Sequence, residues 1–145
     1  MKIIKCGKCQ TAYKINESLI KSSRLIVTCK KCNAKNNVKF TPILLIQSKG
    51  EKQRISLSPG KYVIGRNLAN TVNNISIKDQ FVSRRHAELQ VLDKEGKIDV
   101  TILDTRSTNG IFNKNKQKLN PEKSYPFIFG DYFIVGLTKL TLVLN

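Results

Sequence analysis

The chain has 145 residues, room for one ordinary domain or two small ones. Hydrophobic residues at 40% and charged residues at 25% exclude a mainly disordered or collagen-like protein. No apolar run approaches the roughly 18 residues of a membrane-spanning helix. The 26 Lys and Arg face 10 Asp and Glu, and this +16 balance attracts polyanions such as nucleic acid, anionic lipid or phosphorylated protein. The excess is concentrated early. Residues 1–42 hold ten basic side chains and one acid, Glu17, whereas residues 43–145 hold sixteen and nine. Lys and Asn are abundant and Arg is scarce, a bias that an AT-rich coding genome also produces. The start, Met1-Lys2-Ile3-Ile4-Lys5-Cys6, shows no apolar leader, so a cytoplasmic location is expected.

The first predicted element is a metal site. Four cysteines fall as Cys6-Gly7-Lys8-Cys9 and Cys29-Lys30-Lys31-Cys32, nineteen residues apart. Two Cys three positions apart in a tight turn aim both sulfurs at one point. A second such turn completes a tetrahedral thiolate shell for one structural Zn²⁺, with no position left for a catalytic water. Lys8, Lys30 and Lys31 offset the negative charge of such a centre, and Gly7 suits the turn. Two disulfides or a redox pair are the competing readings. A segment this short buries too little core to fold without a staple.

Tyr13-Lys14-Ile15 and Arg24-Leu25-Ile26-Val27-Thr28 complete a pattern that resembles the small N-terminal zinc ribbons of bacteria and archaea, over about residues 1–40. The pattern departs at Gly7, where Pro is usual, and at Asn33, where Gly is usual. Asn tolerates left-handed backbone, so the second change is mild. The resemblance implies no particular activity.

After Phe40-Thr41-Pro42 the cysteines stop and the acids return, which marks a boundary. Beyond it, over residues 43–145, short runs rich in Ile, Val, Leu, Thr, Tyr and Phe predict strands at Ile43–Ser48, Gln53–Leu57, Lys61–Ile64, His86–Leu92 and Ile98–Asp104. Further strands are predicted at Phe127–Phe129, Tyr132–Gly136 and Lys139–Leu144. Turn signals separate them, among them Ser58-Pro59-Gly60, Asp93-Lys94-Glu95-Gly96 and Asn120-Pro121. Ala87, Leu89 and Val91 share one face, as do Ile98, Val100 and Ile102. The expected class is all-β, a sandwich behind a small four-cysteine zinc ribbon.

Three loop constellations carry the chemistry. Gly65-Arg66 ends a strand with a sharp turn and a five-donor cation suited to phosphate. Ser83-Arg84-Arg85-His86 supplies a hydroxyl, two cations and the only His. Arg84 and Arg85 point to opposite faces if this stretch is extended. Ser83 lacks a nucleophile-elbow motif, so catalysis is not expected. Asp104-Thr105-Arg106-Ser107-Thr108-Asn109-Gly110 is a polar turn between strands.

Taken together, Gly65-Arg66, Ser83-x-x-His86 and Ser107-Thr108-Asn109-Gly110 resemble the forkhead-associated (FHA) domain, over about residues 43–145. Phe129-Gly130-Asp131-Tyr132-Phe133-Ile134-Val135-Gly136 is similar to that family's penultimate hairpin. The resemblance implies a β-sandwich that binds phosphothreonine peptides through loops at one end, and the fold is among known readers of phospho-motifs. By the same resemblance, Arg66 and Ser83 take phosphate oxygens and Arg84 adds a phosphate contact. Thr108 lies near the phosphothreonine, and Asn109 bonds peptide backbone. Gly65, His86 and Gly110 support the site, with His86 bracing the Ser83 loop. Phe81 either touches the peptide or packs under its loop, and packing is favoured. The implied partner is a phosphothreonine-containing protein, such as a Ser/Thr kinase or its substrate. The alternative is a basic nucleic-acid-binding protein that works through the ribbon and recruits partners through the sandwich. The ribbon offers only Tyr13 and Phe40 as stacking aromatics, so weak, salt-sensitive binding is expected.

Overall fold

The computed structural model describes residues 2–16 and 23–144. Glu17 lies outside them. The described residues form fourteen strands and no helix. None of them forms a helix long and apolar enough to cross a membrane.

Two short hairpins come first: β1 (Lys2–Lys5) with β2 (Ala12–Ile15), and β3 (Arg24–Thr28) with β4 (Lys35–Lys39). The remaining strands are β5 (Pro42–Ser48), β6 (Glu51–Ser56), β7 (Gly60–Gly65), β8 (Asn74–Ser76), β9 (Ala87–Lys94), β10 (Lys97–Asp104), β11 (Ile111–Asn113), β12 (Ser124–Pro126), β13 (Tyr132–Val135) and β14 (Thr138–Leu144). They make two five-stranded sheets, β12-β10-β9-β7-β8 and β11-β13-β14-β5-β6. The period-2 pattern drives their packing. Ala87, Leu89 and Val91 on β9 are buried with Ile98, Val100 and Ile102 on β10. The second sheet answers with Leu44 and Ile46 on β5 and Leu140 and Leu142 on β14. All ten side chains belong to one core.

Several features differ from the sequence expectation, the unpredicted strand β12 among them. Phe127–Phe129 is not a strand; the ladder ends at Pro126. Phe127 and Phe129 do point inward, and the Phe127 ring meets Phe133 edge-on at 4.8 Å. Alternating burial there imitates a strand, but the chain turns away at Gly130, where φ is +93°. The stretch 67–79, where no strand is predicted, contains β8. This strand runs parallel to β7 at the edge of its sheet and buries Ile75.

The ribbon leans on one end of the sandwich. Leu25, Val38 and Ile15 pack against the core, and Phe40 is itself part of it, 3% exposed. The Ser23 amide donates to the Gly96 carbonyl, and the Phe40 amide donates to Ser23 O at 2.7 Å. The first bond reaches the β9–β10 turn, and the second ties Phe40 to Ser23. The opposite end of β9, eight residues or about 26 Å away, carries the three loop constellations.

Candidate functional site

The loops at that far end are knitted by backbone contacts. Gly65 closes β7 against residues 83–84. A Cβ at Gly65 would lie 1.7 Å from the Arg84 carbonyl oxygen, so only glycine allows the approach. The Arg66 amide donates to Ser83 O at 3.1 Å. Its Nε donates to Val82 O at 3.0 Å. The guanidinium is thereby aimed, and its two terminal nitrogens keep their donors.

His86 is fully buried and holds two loops at once. Its Nδ1 accepts from the Ser83 amide at 3.0 Å, so Nε2 carries the proton and donates to Gly110 O at 2.7 Å. The Ser83 hydroxyl oxygen accepts from the Thr108 amide at 3.0 Å. Its own proton is left to donate outward. Asn109 Nδ2 donates to Phe81 O at 2.8 Å, so this amide is oriented and still has an acceptor oxygen to offer. Gly110 N donates to Ser107 Oγ, and Ser107 N to Asp104 Oδ1, both at 2.9 Å. These bonds bring Gly65, Arg66, Ser83, His86, Thr108, Asn109 and Gly110 to one end of the sandwich.

Arg84 and Arg85 are exposed in a turn, because β9 starts only at Ala87. The opposite-face arrangement of an extended stretch therefore does not apply to this pair. The Arg85 carbonyl accepts from Thr105 Oγ1 at 2.6 Å, which lays the Arg85 turn against the 105–110 loop. Four of the six Arg in the chain, Arg66, Arg84, Arg85 and Arg106, lie in these loops. Arg106 takes a left-handed φ of +60° and pairs with Glu122 at 2.9 Å. The carboxylate raises its pKa by hydrogen bonding and by charge. Phe81, expected to pack, is 43% exposed beside the Asn109 contact.

Sequence reasoning missed Asp79. Its carboxylate is buried and accepts from Phe81 N at 2.9 Å, Leu137 N at 2.7 Å and Thr138 Oγ1 at 2.8 Å. It ties the 77–86 loop to the β13–β14 turn. An isolated Asp in an Asn-rich stretch carries no signal of this.

The cysteines form a second centre, in the ribbon. The four sulfurs lie within 4.8 Å of one another. Cys6–Cys32 and Cys9–Cys29 are each 3.6 Å apart. That exceeds the roughly 2.05 Å of a disulfide and approaches the edge of about 3.8 Å that a tetrahedron of roughly 2.3 Å Zn–S bonds has. The two turns repeat each other. Gln10 N donates to Cys6 O and Asn33 N to Cys29 O, with φ at +65° and +59°. The backbone amides of Cys9 and Lys8 and the Asn36 amide pull the Cys6 thiol down to about 6, against burial. The Tyr13 hydroxyl, 2.7 Å from Cys29 Sγ, lowers that thiol. The Ala34 amide favours the Cys32 thiolate, but burial and the three neighbouring sulfurs outweigh it and push Cys32 up to about 11. Four sulfurs this close ionise together only around a cation, and the all-thiolate donor set fits a soft divalent metal.

The FHA-domain family model matches residues 62–136, just over half of the chain. No curated protein matches it. Among solved structures, the Slr1951 protein from Synechocystis sp. is 26% identical with a TM-score of 0.61, covering 72% of this chain and 98% of its own. The FhaA FHA domain, solved in complex with the intracellular domain of Rv3910, is 25% identical at 0.54, covering 70% and 98%. The yeast Dun1 FHA domain, solved with a doubly phosphorylated peptide derived from Rad53, is 21% identical at 0.57, covering 72% and 74%, a likeness of fold.

Proposed function

Since this chain belongs to the FHA-domain family, we propose that it recruits phosphorylated proteins by binding phosphothreonine at the loop end of the sandwich. The observation that carries this reading is the Arg66 guanidinium, fixed by Val82 O, beside a Ser83 hydroxyl whose proton is unspent. A phosphate carries about −1.5 to −2 charge near neutral pH and offers three acceptor oxygens. Charge-assisted contacts of this kind are the strong ones. Arg84 adds a third donor group. Thr108 lines the phosphothreonine, and Asn109 presents its carbonyl oxygen to peptide backbone. Gly65, His86 and Gly110 act as supports. Binding, rather than catalysis, suits His86: both ring nitrogens are spent on backbone groups, and neither meets the Ser83 hydroxyl.

The Dun1 and FhaA domains were each solved with a partner, which supports a phosphothreonine-containing protein such as a Ser/Thr kinase or its substrate. In the ribbon, Cys6, Cys9, Cys29 and Cys32 would hold one structural Zn²⁺. It would cross-link the two hairpins, and reduced thiols fit a cytoplasmic setting. Calorimetric titration with phosphothreonine, phosphoserine and unmodified versions of a degenerate peptide library tests the reading. Phosphothreonine peptides should bind at least tenfold more tightly than unmodified ones. Equal binding of both would overturn it.

A further inference from the structure

The peptide site uses none of the ribbon's charge, and that charge has a shape. On β3 the side chains of Arg24, Ile26 and Thr28 are exposed, and on β4 those of Lys35, Asn37 and Lys39. The register sets Arg24 opposite Lys39, Ile26 opposite Asn37 and Thr28 opposite Lys35. All six therefore stand on one face, while Leu25 and Val38 turn the other face to the sandwich core. Lys30 and Lys31 are exposed at the hairpin tip. Among the described residues, both ion pairs lie in the sandwich and neither involves these cations.

From this face we propose a second binding activity: the β3–β4 hairpin docks in the major groove of duplex DNA without sequence preference. A B-form major groove, roughly 12 Å wide, admits a two-stranded β-ribbon. Two strands about 4.8 Å apart present cations at both ends of the face, so they reach the phosphates that flank the groove. Ile26 and Asn37 lie between them, toward the base edges. A single strand is the poorer fit because stacking needs free aromatics. Tyr13 is committed to Cys29 and Lys30, and Phe40 is buried in the core. Duplex RNA has a deep, narrow major groove that excludes the hairpin. Among the described residues of the ribbon, the exposed large apolar side chains are Ile3 and Ile26, on separate hairpins, and these two make no apolar patch for a lipid surface. The hairpin sits at the ribbon end, about one β9 length from Ser83, so both ligands fit on one molecule.

The test uses the full chain loaded with zinc and a fluorescein-labelled 24-base-pair duplex DNA, read by anisotropy over a salt series. With about four phosphates neutralised, log K should fall against log salt with a slope near −3.6. The triple variant R24E/K35E/K39E should bind at least tenfold less tightly, with a flatter slope and unchanged phosphopeptide affinity. The charge-matched variant K52E/R54E/K61E, altered at exposed positions on β6 and β7, should stay within about twofold of wild type. Equal losses from the two triples would reduce the effect to net charge and overturn the proposal. So would single-stranded DNA, duplex RNA or anionic vesicles bound as tightly as the duplex.

Discussion

Gly65 and Arg66 act through a single contact region, and their substitutions separate shape from charge. Gly65→Ala must push the 83–84 backbone away, since the clash is with a carbonyl and not a flexible side chain. It should destabilise the fold by about 3 kcal/mol, the upper range for overpacking, and it should weaken phosphopeptide binding as well. Urea denaturation beside a peptide titration reads both. Arg66→Ala should leave stability nearly unchanged and reduce phosphopeptide affinity by about 2 kcal/mol, roughly thirtyfold. Arg66→Lys should recover only part of this, because lysine has neither the Nε donor for Val82 O nor two parallel terminal nitrogens. Ser83→Ala should weaken binding by roughly 1 kcal/mol, one neutral donor. His86→Ala should lower thermal stability together with affinity, because it strands the half-buried Ser83 amide and the buried Gly110 carbonyl. A His86→Ala variant with wild-type stability would contradict the bracing role.

At the scale of elements, the strands that alternate cleanly were legible, and the short β8 was not. β9, β10 and β14 announce themselves by apolar residues at every second position, all on the buried face. β8 is three residues long, has one buried side chain and pairs in parallel, so no local pattern marks it. The Phe127–Phe129 error is the converse: burial alternates without a ladder. The candidate site was legible through its motifs, whose polar residues the fold gathers at one end. Asp79 was not legible, because its role depends on Leu137 and Thr138, 58 and 59 positions away. Asp79→Ala takes the acceptor from three donors, the buried Thr138 hydroxyl among them, and should destabilise the protein by about 3 kcal/mol in denaturant titrations. Tyr13 works between elements too. It belongs to the first hairpin yet holds Cys29 and the Lys30 amide of the second. Tyr13→Phe should keep the fold and lower metal affinity about tenfold, as loss of an outer hydrogen bond to a ligand does. Competition with a chromogenic chelator measures it, and an unchanged affinity would remove Tyr13 from the metal's support.

For the whole molecule, the charge step near residue 42 marks a change of composition, but the packing boundary falls earlier. Phe40 fills sandwich core from what the sequence assigns to the ribbon, and Pro42 already belongs to β5. A fragment of residues 43–145 should fold without metal, yet be less stable than one of residues 40–145 by about 3 kcal/mol, the usual cost of deleting a buried Phe. Equal denaturant midpoints for the two fragments would show that Phe40 contributes nothing. The seam also joins two equilibria. A metal on the four cysteines would bind only the folded ribbon, so it would deepen that fold by mass action. The folded ribbon holds Ser23, which bonds the β9–β10 turn, and Phe40, which fills part of the core. Heat should therefore unfold the intact, loaded chain in one transition, and a chelator should shift that transition downward by several degrees, given about 2–4 °C per kcal/mol for a cooperative unit close to 150 residues. The loops that read phosphate would then lose stability when metal is scarce, although no cysteine comes near them.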